Sequence, residues 1–202
     1  GLDPVHLEVV VRHERDRVAA HIASCDPDCL IADQREIKGT GRAVECGLAA
    51  LPDGLTGTVV VTYGDVPLLT TATLRDLLAV HEAQAGAVTV VTSHLADPFG
   101  YGRIVRDADG SVLRIIEQKD ASADERLITE VNSGIYAFDA VVLREALAGL
   151  GTDNVQGEKY LTDVVGVARA RGRTVAAYVL ADVVQAEGVN DKIQLAKLGA
   201  EL

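Results

Sequence analysis

The pattern of apolar and polar positions divides the first half of the chain into alternating strands and helices. The segment Thr58–Thr62 is β-branched throughout, which predicts a strand buried on both faces. The alternation up to residue 92 is typical of a parallel sheet with right-handed crossovers. The predicted elements are strand Leu7–Val11, helix His13–Ala23, a short strand at Leu30 and Ile31, a helix from Gly39 to about Leu51, strand Thr58–Thr62, a helix from Thr71 to about Gln84 and strand Ala87–Thr92.

The pattern changes in the second half of the chain. A turn at residues 107–110, between two strands that are polar on one side, predicts an antiparallel hairpin. The elements predicted here are hairpin strands Arg103–Arg106 and Ser111–Glu117, strand Val131–Phe138, helices Ala140–Leu147 and Tyr160–Ala170, strand Val175–Leu180 and helix Asp191–Leu202. We therefore predict one α/β domain over residues 1–202, with a mostly parallel sheet flanked by helices and an antiparallel insertion over its carboxyl edge.

Composition and charge restrict the classes of partner. Hydrophobic residues make up 48% of the chain and charged residues 24%, which is ordinary for a globular protein. No apolar run reaches the roughly 18–20 residues of a membrane span, and no secretory signal opens the chain, so we expect a cytoplasmic protein without a membrane partner. The net charge of −11 argues against a nucleic-acid surface. An anionic substrate would need a metal, backbone N–H groups or a few basic residues.

The cysteines do not indicate a metal site or a disulfide framework. The chain has an odd number of cysteines, Cys25, Cys29 and Cys46, which does not suit a disulfide framework. The Cys25–Cys29 pair has no second ligand pair at the spacing of a zinc site. We expect structural or surface thiols.

Asp65 lies where the Thr58–Thr62 strand ends, after a turn at Gly64. The carboxyl edge of an open α/β sheet is where ligands bind, and a carboxylate there suits a hard cation such as Mg²⁺. The alternative is that Asp65 caps the helix that starts near Thr71 or braces the turn.

A polar loop with Gln34, Gly39, Thr40 and Gly41 leads into a helix. Helix N-termini present free N–H groups, and a Gln amide can pair with a donor and an acceptor on a base edge. The alternative is a plain turn.

Further polar groups occupy strand positions that should be partly buried. Gly100 and Gly102 flank Tyr101 before a strand, Glu117 ends an apolar strand, and Asn132 lies within another. Sugar hydroxyls could satisfy a carboxylate and an amide at such positions, and internal hydrogen bonds or a tight loop are the alternatives. Asn190 precedes the last helix, where the alternative role is an N-cap.

Taken in order, seven motifs resemble those of one bacterial family. It is the uridyltransferase domain of the bifunctional N-acetylglucosamine-1-phosphate uridyltransferase/glucosamine-1-phosphate acetyltransferases. The motifs extend from about residue 30 to the end of the chain. They are Gln34 with Gly39–Gly41, Tyr63–Leu68, Phe99–Ile104, Ile116–Ala121, Glu130–Tyr136, Tyr160–Asp163 and Glu187–Asn190.

The resemblance implies a Rossmann-like nucleotidyltransferase fold and a reaction. UMP would pass from UTP to N-acetylglucosamine 1-phosphate, giving pyrophosphate and UDP-N-acetylglucosamine for peptidoglycan and cell-envelope synthesis. It also implies that Asp65 and Asn190 are the catalytic ligands of Mg²⁺. The substrate-binding residues that it implies are Gln34, Gly39 and Thr40 for uracil, Tyr63 and Gly64 beside the nucleotide, and Gly102, Glu117, Asn132 and Thr162 for the amino sugar, with Tyr160 nearby.

The sequence departs from the family pattern at its ends and at a few positions. It contains no Met, begins after the family's basic Gly-rich loop, and stops before the acetyltransferase domain that builds the homotrimer. We therefore expect a domain that is incomplete at its amino end, binds UDP-N-acetylglucosamine weakly and releases little pyrophosphate by itself. Arg42 stands where His is common, and Asp191 with Lys192 replaces the usual Asn-Arg.

Two other functions remain as alternatives. One is a different sugar-phosphate nucleotidyltransferase, such as a thymidylyltransferase, and the other is a non-catalytic module that binds nucleotide sugars. Gln34 and the segment 132–134 favour uridine and an amino sugar. Asp65 and Asn190 favour metal-dependent catalysis.

Overall fold

The structure is a computed structural model that describes residues 1–36, 38–189 and 191–201. Its strands are β1 Glu8–Val11, β2 Leu30–Asp33, β3 Thr58–Val61, β4 Val88–His94, β5 Arg103–Arg106, β6 Val112–Ile116, β7 Glu130–Asp139 and β8 Val175–Val179. Its α-helices are α1 Arg15–Cys25, α2 Thr40–Ala50, α3 Thr71–Ala83, α4 Ala140–Gly149, α5 Asp163–Ala170 and α6 Lys192–Gly199. Short 3₁₀ helices cover Glu125–Leu127 and Val183–Ala186.

The strands form two sheets. β1 and β2 pair in parallel as a two-stranded sheet, and the other six strands form a mixed sheet in which β6, β5, β7, β4 and β8 are neighbours in that order. β3 pairs with β7 off this path. Four strands of the mixed sheet, β3, β4, β5 and β8, run in one direction, and β6 and β7 run in the other. The sheet is therefore mixed rather than mostly parallel as predicted, because β4 and β8 are the one parallel pair among the described strands of this sheet.

The position of β7 explains this difference. β7 lies between β3 and β4 and is antiparallel to both, so these two parallel strands do not pair directly. The predicted hairpin is present as β5 and β6, and it extends the sheet beside the first residues of β7, through the pair Arg103 and Val131.

β7 also carries an irregularity that shapes the site. Val90 of β4 faces Tyr136, and Thr92, two residues later, faces Asn132, so β7 uses two extra residues at this point. Gly134 lies in this bulge with φ +80°, a left-handed conformation that glycine adopts without strain. The Ser133 hydroxyl fastens the bulge by donating to the Val91 carbonyl at 2.7 Å.

Helices cover both faces of the mixed sheet. Val90, Tyr136 and Phe138 face one side, where they pack with α4 and α5. Val91, Ile135 and Ala137 face the other side, where they pack with Leu77 of α3. No helix in the described part of the chain is long and apolar enough to cross a membrane.

Four of the described helices begin one to three residues later than the sequence predicts; α1 begins at Arg15 rather than at His13, and α2 begins at Thr40 rather than at Gly39. α5 begins at Asp163 rather than at Tyr160, because the backbone before it is engaged elsewhere: Gly41 N–H donates to the Lys159 carbonyl at 2.8 Å. α6 begins at Lys192, and Asp191 caps it by accepting from the N–H groups of Ile193 and Gln194. All three cysteines are free thiols.

Candidate active site

Tyr63 closes one side of the candidate site, immediately after β3. Because Val61 pairs with Tyr136 in antiparallel register, Tyr63 lies across from Gly134. The Tyr63 ring lies so close to Gly134 that a Cβ atom there would collide with it. Burial of the phenol, followed by the nearby Glu117 and Asp65 carboxylates, raises the pKa of Tyr63 to about 12. The phenol is therefore neutral at physiological pH.

Asp65 is exposed and lies beside the segment that precedes α6. Val189 N–H donates to the Asp65 carbonyl at 2.9 Å, and a Cβ atom on Gly188 would lie 3.3 Å from Oδ2 of Asp65. Within the described residues the Asp65 carboxylate has no hydrogen-bond or ion-pair partner. Thr70, not Asp65, caps α3 by accepting from Thr73 N–H.

Asn190, the second predicted metal ligand, lies outside the described residues. The segment that leads to it, Gly188 and Val189, is in contact with Asp65. The N-cap role that was the alternative for Asn190 is filled by Asp191.

The polar loop before α2 is joined to the segment before α5. Nε2 of Gln34 donates to the Gly39 carbonyl at 2.9 Å. Leu161 N–H donates to the Thr40 hydroxyl at 3.1 Å, and a Cβ atom on Gly39 would collide with the Lys159 backbone. Gly39 has φ +111°, so glycine is required here for both conformation and space.

Glu117 is in contact with residues of two other motifs, at Thr162 and Gly102. The Thr162 hydroxyl donates to its Oε1 at 3.0 Å. A Cβ atom on Gly102 would lie 3.6 Å from both Glu117 carboxylate oxygens, so Gly102 leaves space in front of this carboxylate. Burial, and then the Asp163 and Asp120 carboxylates, raise the pKa of Glu117, against the Thr162 hydrogen bond.

Asn132 connects Gly102 to β7. Its backbone N–H donates to the Gly102 carbonyl at 2.9 Å, and its side-chain oxygen accepts from Gly134 N–H at 3.0 Å. The Tyr160 hydroxyl accepts from Nε2 of Gln156 at 2.8 Å, beside Asp120. Gly64 is exposed next to Asp65.

Asn190 is outside the described residues, and these contacts join the predicted residues that the structure describes into one continuous group. Four residues that the sequence analysis did not single out also support it, namely Gly134, Gly188, Arg103 and Gln118. For Arg103 a sequence signal existed, because a charged residue between Gly102 and the apolar Ile104 at the start of a strand requires buried partners.

The site offers oxygen donors for a hard cation. Among the residues that the structure describes, no three His, Cys, Asp or Glu side chains form a cluster able to hold a metal. The Asp65 carboxylate has no partner among the described residues and lies beside Gly188, so it fits one oxygen ligand of a divalent cation.

A comparison with known families assigns the chain to one of them. Residues 6–183 match the nucleotidyl transferase family. This protein belongs to the nucleotidyl transferase family. Members of this family bind nucleotides and sugar phosphates and generally use a divalent metal.

Curated relatives in the family align along the whole chain. The chain is 62% identical over 204 residues to the bifunctional protein GlmU of Pseudarthrobacter chlorophenolicus, covering 100% of the chain and 42% of that protein. It is 54% identical over 209 residues to the GlmU protein of Corynebacterium efficiens, again covering 100% of the chain and 42% of the relative. The chain thus spans about two fifths of the length of these relatives.

Solved structures of other nucleotidyl transferases share the fold. A glucose-1-phosphate thymidylyltransferase from Bacillus anthracis superposes with a TM-score of 0.69 at 14% identity, covering 99% of this chain and 77% of that one. A UDP-glucose pyrophosphorylase, solved with UDP-glucose, gives a TM-score of 0.62 at 14% identity, covering 85% and 71% of the two chains. The predicted Rossmann-like nucleotidyltransferase fold is therefore confirmed.

Proposed function

We propose that this chain carries the uridyltransferase site that transfers UMP from UTP to N-acetylglucosamine 1-phosphate. The products are UDP-N-acetylglucosamine and pyrophosphate. The observation that carries the proposal is the set of contacts that joins residues from distant motifs, with Tyr63 against Gly134, Asn132 bonded to Gly102, and Thr162 bonded to Glu117. The similarity to GlmU proteins at 53–62% identity supports the choice of substrates.

The nucleotide and the amino sugar each have proposed contact residues in this site. On the nucleotide side, Gln34, Gly39 and Thr40 contact the uracil, and Tyr63 and Gly64 lie along the nucleotide. The residues proposed for the amino sugar are Gly102, Glu117, Asn132 and Thr162, with Tyr160 nearby. Glu117 accepts from sugar hydroxyls, and Asn132 can both donate and accept.

The proposed reaction needs no covalent enzyme intermediate. A phosphate oxygen of the sugar phosphate attacks the α-phosphorus of UTP in line, and pyrophosphate leaves from the opposite side. The chain holds both substrates in this geometry. Asp65 and Asn190 would hold Mg²⁺, which would supply the positive charge that lets a chain of net charge −11 accept polyanions.

The wider context is proposed from the resemblance of the seven motifs to the bifunctional family. We place residues 1–202 in one catalytic domain of a longer cytoplasmic protein that also carries acetyltransferase activity and assembles as a homotrimer. Its product would enter peptidoglycan synthesis.

Binding of nucleotide sugars to the 202-residue chain tests the proposal. In calorimetric titrations we expect weak but saturable binding of UDP-N-acetylglucosamine, with UDP-glucose and dTDP-glucose each binding at least about tenfold more weakly. Preferential binding of dTDP-glucose would favour a thymidylyltransferase. Equal binding of all three would contradict specific recognition of uracil and the amino sugar.

A further inference from the structure

Arg103 is a buried cation that the proposed chemistry does not use. It begins β5 with only 1% of its surface exposed. In the described part of the chain it forms no ion pair, and its Nε atom has no hydrogen-bond partner. A guanidinium that is buried without a carboxylate is costly, because its hydration is lost without an opposite charge to replace it.

The Arg103 side chain is connected to the loop Gly100–Gly102 directly and through Gln118. Nη1 donates to the Tyr101 carbonyl, and Nη2 donates to Oε1 of Gln118 at 2.6 Å. The same Gln118 oxygen accepts from Gly100 N–H at 3.3 Å. Arg103 and Gln118 thus fix the loop Gly100–Gly102 at two points, with the rigid fork of donors that only arginine offers.

Arg103 and Gln118 bind the loop Gly100–Gly102 on the face that points away from the proposed sugar site. Consecutive residues in a strand face opposite sides of the sheet. A Cβ atom on Gly102 would lie 3.1 Å from Cγ2 of Ile115 and 3.6 Å from both carboxylate oxygens of Glu117, so Gly102 faces the same side as Glu117. Arg103, the next residue, reaches Gln118, the residue after Glu117. The pair therefore sets the separation between Gly102 and Glu117 without entering the space between them.

We propose that Arg103 is a positioning residue that sets the sugar side of the site, by holding Gly102 at a fixed separation from Glu117 through Gln118. This inference rests on the proposed function, because it assigns the Gly102–Glu117 space to the amino sugar. Arg103 itself does not contact substrate. Its effect on binding is confined to the sugar, since the uracil loop is held by other contacts, at Lys159 and Leu161.

The test compares two conservative variants of the same strand, Arg103→Lys and Arg106→Lys. Arg106 lies at the other end of β5 and bonds Glu130 through two nitrogens, so its replacement perturbs the strand but not the loop. For the 202-residue chain, the dissociation constants of UDP-N-acetylglucosamine and UDP are measured by calorimetry. We expect Arg103→Lys to weaken UDP-N-acetylglucosamine about tenfold and UDP less than about twofold, while Arg106→Lys changes neither by more than about twofold.

A rescue and a ligand-free measurement separate positioning from general stability. Adding Gln118→Glu to Arg103→Lys supplies a carboxylate for the shorter cation, and we expect it to restore most of the lost affinity. Amide hydrogen exchange at Gly100 and Gly102 should be faster in Arg103→Lys and unchanged in Arg106→Lys.

The outcomes distinguish the inference from the proposed function. Equal weakening of both ligands by Arg103→Lys, or unchanged affinity for UDP-N-acetylglucosamine, overturns the positioning role while the proposed function stands. Failure of the unmodified chain to bind UDP-N-acetylglucosamine overturns the proposed function, and with it the assignment of Arg103 to the sugar side.

Discussion

At the scale of single residues, the contact between Tyr63 and Gly134 fixes the wall of the site nearest β3. The ring occupies the space that any side chain at position 134 would need, and the left-handed φ of +80° also requires glycine. Gly110 has a similar φ of +84° in the hairpin turn, but a Cβ atom there would meet nothing within 4 Å. The two glycines therefore separate the effect of the collision from that of backbone conformation.

We expect Gly134→Ala to lower the free energy of unfolding by about 2–4 kcal/mol, because backbone strain adds to the displacement of a packed ring. Gly110→Ala should cost only about 1 kcal/mol, from strain alone. Urea unfolding measures both, and UDP-N-acetylglucosamine affinity should fall only in Gly134→Ala. Equal losses of unfolding free energy in the two variants would show that the collision with the Tyr63 ring adds no cost to the backbone strain at Gly134.

Gln34 gives a second prediction at this scale. Its amide holds the Gly39 carbonyl, so it shapes the loop as well as facing the proposed uracil. We expect Gln34→Ala to weaken UDP-N-acetylglucosamine binding by about 1–3 kcal/mol, the cost of leaving a polar base edge unpaired. The control is Gln84→Ala, at the exposed end of α3. Calorimetry that finds the same affinity in both variants would exclude Gln34 from the nucleotide site.

Much of the site was predictable residue by residue, because its polar groups stand at strand ends or in strands where they need partners. Asp65, Glu117 and Asn132 were selected in this way, and their roles in binding stay predictions. Gly134 received no role of its own, since its requirement comes from a ring that is distant in sequence. The hydrogen bond between Thr162 and Glu117 was likewise invisible without the fold.

At the scale of elements, local patterns predicted the strands but not their neighbours. Hydrophobic periodicity located β3, β4 and β7 to within two residues at each end. It could not predict that β7 inserts between the other two, because strand order depends on contacts between distant segments. The late start of α5 has a similar cause, since the backbone at Lys159 and Leu161 bonds the loop before α2 instead of continuing the helix.

The packing of α3 on β4 predicts a pH dependence. His81 is buried against β4, with Nδ1 2.9 Å from the Thr89 hydroxyl. Burial lowers the pKa of His81 from its usual 6.5, against the opposite influence of the Asp139 and Glu82 carboxylates. Protonation therefore favours the unfolded chain, so this contribution is complete above pH 6.5 and is lost as the pH falls below that value.

The variant His81→Asn isolates this contribution. We expect the free energy of unfolding to fall between pH 7.5 and 5.5 by a larger amount in the unmodified chain than in His81→Asn. Denaturant unfolding at the two pH values, in the same buffer and salt, measures both differences. An identical pH dependence in the two proteins would mean that His81 accepts a proton in the folded state as easily as in the unfolded one.

At the scale of the whole molecule, the chain must bind polyanions despite its net charge of −11. The group in the site that suits a cation is the Asp65 carboxylate next to Gly188; this carboxylate has no hydrogen-bond or ion-pair partner among the described residues. The family was predictable at this scale because the motifs occur in order along the chain. The predicted pairing of Asp65 with Asn190 stays a prediction, supported by the contact of Gly188 and Val189 with Asp65.

Pyrophosphate release tests the proposed uridyltransferase activity in a chimera, in which this chain replaces the matching segment of the Pseudarthrobacter chlorophenolicus GlmU protein. With Mg²⁺ and N-acetylglucosamine 1-phosphate, we predict rapid release from UTP and at least about 100-fold slower release from dTTP. Asp65→Ala should reduce the rate with UTP on the order of 100-fold or more, because it removes a proposed ligand of the Mg²⁺ that would offset the charge of the phosphates. The matched control Asp53→Ala, in an exposed turn after α2, should be as active as the unmodified chimera. Full activity of Asp65→Ala, or equal rates with UTP and dTTP, would contradict the account.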